Sequence, residues 1–188
     1  MRMMLVGAGA VGECILKVLK KRDPQRRWLS YVLIADYSLK RAEEVKEHLK
    51  QGGPCGFRME TVLADAREKE KLLGLMQEHS IDFVMDAASP FVSNFIFDAA
   101  FEAGADYGNM GTWSVPKDEP AFGIGFEGSY LEPMTKYNFD RHEAWRRKEQ
   151  TALICLGIDP GVVNVFAKYA AEYLFDELLE LHVKDGGN

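Results

Sequence analysis

Cysteine and histidine are scarce in this chain, and several kinds of chemistry are excluded with them. Cys14, Cys55 and Cys155 lie far apart, with neither paired metal-ligand spacing nor the density of a disulfide framework. No metal site is therefore expected, and a reducing, cytoplasmic setting is. None of the four histidines reads as a persuasive catalytic base: His48 and His79 fall on polar helix faces, His142 in a charged segment and His182 near the end of the sequence. Positive charge is not in excess either. The 23 basic and 29 acidic residues leave a formal net charge of -6, which offers a polyanion no general attraction, so nucleic acid is not an expected partner. Long apolar runs are missing too. The stretch from Ala152 to Leu156 is far too short to cross a bilayer, and the N-terminus enters a strand pattern rather than a signal-peptide layout, so no membrane association is expected.

What is present is enough apolar material for one sizeable core, 47% of 188 residues. Short β-rich runs alternate with longer helical stretches, the pattern of a parallel sheet covered on both faces. Strands are expected at Met3 to Val6, Tyr31 to Ala35, Glu60 to Ala64, Phe83 to Asp86, Ala105 to Gly108 and Ala152 to Leu156. Helical spacing occupies Val11 to Lys21, Leu39 to Gln51, Arg67 to His79, Val92 to Ala103, Phe139 to Gln150 and Val162 to Leu174. The fold class is thus α/β, a doubly wound parallel sheet. Right-handed crossovers give the order 3-2-1-4-5-6, with ligands bound at the carboxyl ends of the strands where the order reverses. The stretch from Met110 to Tyr137 breaks the rhythm. It holds Gly111, Gly123, Gly125 and Gly128 with Pro116, Pro120 and Pro133, and reads as a long loop, either functional or a surface excursion. A β-like run, Leu178 to Val183, precedes Asp185-Gly186-Gly187-Asn188.

The strongest local signal is Gly7-Ala8-Gly9-Ala10-Val11-Gly12, a G-x-G-x-x-G that follows the first strand and opens the first helix. Gly7 permits the tight turn, Gly9 lets backbone approach a pyrophosphate, and Gly12 lets the helix pack on the sheet. The unsatisfied N–H groups of the helix start, from Ala10 and Val11 onward, face the anion. A ligand-free glycine turn is the bland alternative.

Asp36 ends the second strand at close to the expected spacing of about 20 residues. A carboxylate there accepts the adenosine ribose hydroxyls and repels a 2′-phosphate, which favours NAD; NADP use stays open. Ser38 and Arg41 would reach a 2′-phosphate if Asp36 turned away; otherwise Ser38 caps the next helix and Lys40 and Arg41 are solvated. Asp65 and Ala66 follow the third strand, where Asp65 lies beside the adenine or, with Glu68, opens a helix as a capping box. Ala88, Ser89 and Pro90, small residues after the fourth strand, line the pyrophosphate or nicotinamide ribose. Asp159, Pro160, Gly161 and Asn164 follow the sixth strand and border the nicotinamide or substrate side. They also read as an Asp-Pro-Gly turn into a capped helix.

VGAGAVG from Val6, AASP from Ala87, LGIDPGVVNVFAKYA from Leu156 and VKDGGN from Val183 together resemble the saccharopine dehydrogenase-like family, with its saccharopine reductase, carboxynorspermidine dehydrogenase and lysine dehydrogenase members. The resemblance implies an NAD(P)-binding Rossmann domain over residues 1–176. It also implies that residues 177–188 are the first strand and turn of a substrate domain whose remainder lies outside the chain. The implied reaction is NAD(P)-dependent hydride transfer at a C–N bond of a small amino-acid or polyamine-type substrate; the fragment alone is expected to be inactive, and a homodimer is left open. Two other readings compete: a non-catalytic NAD-sensing regulatory module, and a complete short reductase or epimerase. The latter lacks the expected tyrosine and lysine four apart, since Lys136 adjoins Tyr137 and Lys168 adjoins Tyr169.

Overall fold

The computed structural model describes residues 1–51, 53–113 and 133–184. Among them, strands β1 (Arg2–Val6), β2 (Tyr31–Asp36), β3 (Arg58–Leu63), β4 (Phe83–Asp86), β5 (Asp106–Asn109) and β6 (Ala152–Leu153) form one all-parallel sheet in the order β3-β2-β1-β4-β5-β6. The helices are α1 (Ala10–Arg22), α2 (Leu39–Gln51), α3 (Lys69–Glu78), α4 (Ser93–Ala103), α5 (Lys136–Phe139), α6 (His142–Arg147) and α7 (Val162–Tyr173).

Alternation along β1 explains the two layers. Met3 and Leu5 point to one face and pack with Leu16 of α1 and Ala42, Val45 and Leu49 of α2. Met4 and Val6 point to the other face and meet Leu72 and Met76 of α3 and Ile96 and Phe97 of α4. With both faces covered, every residue of β2 is buried, which is why that strand reads as a near-continuous apolar run. Each fully buried side chain of leucine size contributes roughly 1.5–3 kcal/mol relative to exposure. The doubly wound order expected from the sequence is the one found.

Differences lie at element ends. The sixth strand was expected to reach Leu156, but only Ala152 and Leu153 belong to it. Cys155 turns the chain out of the ladder with φ of 62° and gives its N–H to the Asn109 side chain. The expected helix from Phe139 to Gln150 is two short ones, broken at Asp140 and Arg141, where Asn138 and Asp140 favour turn conformations. α3 starts at Lys69 rather than Arg67, because the Asp65 carboxylate takes the Arg67 N–H and holds residues 65–67 in a turn. Leu178 to Val183 forms no strand. A strand exists through its ladder, and no described residue pairs with this exposed run. Asp185 to Asn188 and residues 114–132 of the expected long loop lie outside the described residues. No helix among the described residues is long and apolar enough to cross a membrane.

Candidate nucleotide site

The carboxyl ends of β2, β4 and β5 carry three buried polar residues, Asp36, Asp86 and Asn109. At these ends, where the strand order reverses between β1 and β4, a crevice of about 810 Å³ opens. Its lining includes Gly7, Gly9, Asp36, Ser38, Arg41 and Asp65, the mouth of the glycine turn and the ends of β2 and β3. Ala66, Ala88 and Ser89 also face it, whereas Ala10, Val11, Gly12 and Pro90 of the expected set do not line it, and Pro90 packs beside Gly111.

Each glycine of the turn has a separate reason. Gly7 has φ of +99°, and a Cβ there would lie 2.7 Å from the backbone of Ala87 and Ala88. Gly12 is pressed on Gly7 itself. A Cβ on Gly9 would meet nothing within 4 Å, and its backbone is extended, so glycine at this position leaves open space in the crevice rather than relieving a clash. Gly9 caps α1, and by helix geometry the N–H groups of Ala10, Val11 and Gly12 have no carbonyl one turn earlier within the helix. An anion of pyrophosphate size, approaching over Gly9, meets those donors and the positive end of the helix dipole.

Asp36 is oriented toward this turn. Its Oδ2 accepts the Ala8 N–H at 2.7 Å and its Oδ1 accepts the Ser38 N–H at 2.8 Å. A carboxylate oxygen has a second lone pair, so both can still accept a ribose hydroxyl. Ser38 caps α2, its Oγ accepting the Arg41 N–H at 3.3 Å. Arg41, by contrast, is not merely solvated. Its Nε donates to the Ala8 carbonyl at 2.8 Å and its guanidinium pairs with Glu13. Asp65 binds Arg67 through both oxygens, and the hydrogen bond from that guanidinium holds its carboxyl down at about 2. The expected capping box is absent: Glu68 caps α3 with no side-chain hydrogen bond. Asp65 and Arg67 instead form one pair on the crevice wall.

Under the turn after β4 lies a buried chain of hydrogen bonds. Tyr107 Oη donates to Asp86 Oδ2 at 2.8 Å, and Asn109 Nδ2 donates to Tyr107 Oη at 3.1 Å. The Ala88 N–H reaches Asp86 Oδ1 at 3.0 Å, and Asn109 Oδ1 accepts the Cys155 N–H at 2.9 Å. Burial pushes the Asp86 carboxyl above the ordinary carboxylate range, against hydrogen bonds from Ser93, Tyr107 and Ala88. Burial, together with the facing Asp86, pushes the Tyr107 hydroxyl well up. The chain fixes the Ala88–Ser89 turn to the segment after β6.

That segment holds Asp159, Pro160, Gly161 and Asn164, which the structure keeps outside the crevice lining. Gly161 has φ of +146° and packs on Gly157, whose N–H donates to the Met110 carbonyl at 3.1 Å. Asn164 Oδ1 accepts the Gly161 N–H at 3.1 Å, so its side chain caps α7, and Asp159 is exposed. Tyr137 is engaged elsewhere, donating to Asp98 at 2.5 Å. Among the described residues no group of three or more histidine, cysteine or acidic side chains is placed to hold a metal ion. Sequence reasoning missed Tyr37, Arg67, Phe91 and Val92 on the wall, and the Asp86–Tyr107–Asn109 chain beneath it. Only Arg67 had a local signal, two positions after an aspartate that follows a strand.

Residues 3–153 match the family model described as the saccharopine dehydrogenase NADP binding domain. The carboxynorspermidine synthase of Vibrio cholerae is 31% identical over 189 aligned residues, covering 98% of this chain and 43% of that protein. The carboxyaminopropylagmatine dehydrogenase of Synechocystis is 26% identical over 98% of this chain and 41% of that protein. The chain therefore spans less than half the length of either relative. In fold it is similar to apo saccharopine dehydrogenase (L-Glu forming) from Saccharomyces cerevisiae, with a TM-score of 0.56 at 17% identity over 88% of this chain and 29% of that one.

Proposed function

The chain belongs to the saccharopine dehydrogenase NADP-binding domain family, and from that premise we propose that it is the cofactor half of an oxidoreductase acting on a C–N bond of an amino-acid or polyamine-type substrate. The observation that carries the cofactor reading is Gly9: extended, exposed, and with nothing within 4 Å of where a side chain would stand, at the start of α1. A pyrophosphate would lie over that space, whereas a side chain at Gly7 or Gly12 would strike backbone. When bound, NAD(P) supplies or accepts hydride at its nicotinamide ring.

This chain's residues bind and orient. The α1 N-terminus takes the pyrophosphate, Asp36 takes the ribose hydroxyls and favours NAD, and the Asp65–Arg67 pair borders the adenine. Asp86, through Ala88, holds the small-residue turn beside the nicotinamide ribose, and the 157–161 turn flanks the substrate side. The substrate class is supported by the names of the relatives, a carboxynorspermidine synthase and a carboxyaminopropylagmatine dehydrogenase. Residues 177–188 open a second, substrate-holding domain in this reading, which gives the relatives' greater length a role. The opposing wall is then needed to hold substrate in near-attack geometry, an effect that reaches about 7 kcal/mol where positioning dominates.

Two measurements test the proposal. Calorimetric titration of the chain with NADH and NADPH should show binding, and well-folded protein that takes neither would refute the cofactor reading. Turnover of saccharopine, lysine and carboxynorspermidine, followed by NAD(P)H absorbance, should appear in a form as long as the relatives and be negligible in residues 1–188. Equal turnover by both would move the reacting groups into this chain, with Asp159, Asn164 and His142 the first to substitute.

A further inference from the structure

Dinucleotide binding leaves one arrangement at the adenosine end unexplained. Arg41 lines the crevice beside Asp36, Tyr37 and Ser38, and about a third of its side chain is exposed (31%). A guanidinium in that place matches a ribose 2′-phosphate in charge and in its fork of donors. Two of its five N–H donors are already engaged elsewhere, and an acid stands near a third nitrogen. Nε donates to the Ala8 carbonyl at 2.8 Å, Nη2 pairs with Glu13 Oε2 at 2.5 Å, and Nη1 stands 3.7 Å from Glu44.

Glu13 is the centre of this arrangement and does not line the crevice itself. It lies on α1, one turn after Gly9, with a side chain that is 13% exposed. Its other oxygen takes Lys17 at 2.7 Å and His48 Nδ1 at 3.1 Å. Hydrogen bonds from Lys17 and Arg41 hold the carboxyl down at about 2, so it is anionic throughout the neutral range. A permanent anion with little freedom thus clamps, against the glycine turn, a cation of the right shape for NADP.

We propose that Glu13 is a positioning residue that sets cofactor choice: by tying the Arg41 guanidinium to itself and to the Ala8 carbonyl, it withholds that cation from a 2′-phosphate and favours NAD. The inference rests on the crevice being the dinucleotide site. It adds a second device to Asp36, one that acts through Arg41 rather than by touching the nucleotide. Neutralising Glu13 would release Arg41 Nη2 and leave the more distant and more exposed Glu44 as the nearest acid, so more of the positive charge would be available beside the ribose.

The test is titration of the chain with NADH and with NADPH, at one fixed ionic strength, for the unsubstituted protein, Glu13→Gln, Arg41→Ala and the double substitution. Glu13→Gln keeps the shape and removes the charge, and it should move the ratio of the two dissociation constants toward NADPH by about tenfold, equivalent to about 1.4 kcal/mol. With Arg41→Ala already present, the same change should move the ratio by less than about twofold, because the coupling partner is gone. A ratio that does not move, a shift equally large without Arg41, or equal weakening of both nucleotides would overturn the inference. The last result would mark Glu13 as a plain staple between α1 and α2. Should Glu13→Gln lose its helical circular dichroism, Glu13→Ala and the Arg41 pair carry the same comparison. Failure of the unsubstituted chain to bind either nucleotide would overturn the dinucleotide reading and this inference with it, whereas normal binding with an unmoved ratio would overturn this inference alone.

Discussion

A Cβ on Gly12 would stand 2.1 Å from the carbonyl oxygen of Gly7, so these two glycines are in direct backbone contact across the turn. Gly9, between them, is under no such constraint. The same motif therefore holds a packing requirement and a ligand requirement at different positions.

The two requirements separate by substitution. Gly12→Ala should destabilise the fold, because the obstructing atom is backbone and cannot move aside; overpacking of this kind costs about 1–3 kcal/mol. Gly9→Val should abolish NADH binding, since its side chain fills only the crevice, while costing the fold no more than the exchange of a favourable helix N-cap residue for a poor one, about 1 kcal/mol. A Gly9→Val protein that binds normally would show that the pyrophosphate does not pass over this residue.

Asp36 joins the specificity question to the geometry of the turn. Asp36→Asn keeps a hydrogen-bond acceptor for the Ala8 N–H while removing the charge, and should narrow the preference for NADH over NADPH measured by titration. Asp36→Ala should also loosen the turn and weaken both nucleotides. If the unsubstituted chain binds NADPH more tightly, Ser38 and Arg41 are the operative contacts.

The low pKa of Glu13 predicts an acid dependence of stability. A carboxyl held at about 2 in the folded chain against 4.5 ordinarily favours folding at any pH above 4.5. That contribution is lost as pH falls from about 4.5 toward 2. Urea unfolding at pH 6 and at pH 3 should show a smaller loss for Glu13→Gln than for the unsubstituted chain, and equal losses would contradict the assignment.

Tyr107→Phe tests the buried chain of hydrogen bonds. It removes the Oη that donates to Asp86 and accepts from Asn109, leaving buried polar atoms without that partner. The expected destabilisation is about 1–3 kcal/mol in urea unfolding. A change below about 0.5 kcal/mol, the scale of a neutral surface substitution, would show that the chain carries little of the fold's stability.

The sheet order and the glycine turn were legible in the sequence because their signals are local. Short apolar runs such as β1 and β2 set between helical stretches, and glycines at fixed offsets after a strand, have few other structural explanations. Asp36 was legible for the same reason. The Glu13–Arg41 pair was not, since it joins two helices across 28 positions and only packing brings them together. Asp86, Tyr107 and Asn109 looked like ordinary strand residues, because their relation arises from the register of β4 on β5. The shortening of β6 depended on a left-handed residue, Cys155, in a run whose composition is that of a strand.

The bonds from Gly7 to the Ala35 carbonyl and from Ala8 to Asp36 bear on the thermodynamics of association. They order the turn when the sheet forms, before a nucleotide is present. Fixing backbone removes on the order of 1–2 kcal/mol of entropy per residue, and here that loss belongs to folding rather than to binding. A nucleotide meets a preorganised cradle, so little of its contact free energy is diverted to ordering a loop. A substitution that loosens β2 would transfer that ordering to the binding step and weaken the nucleotide without touching it.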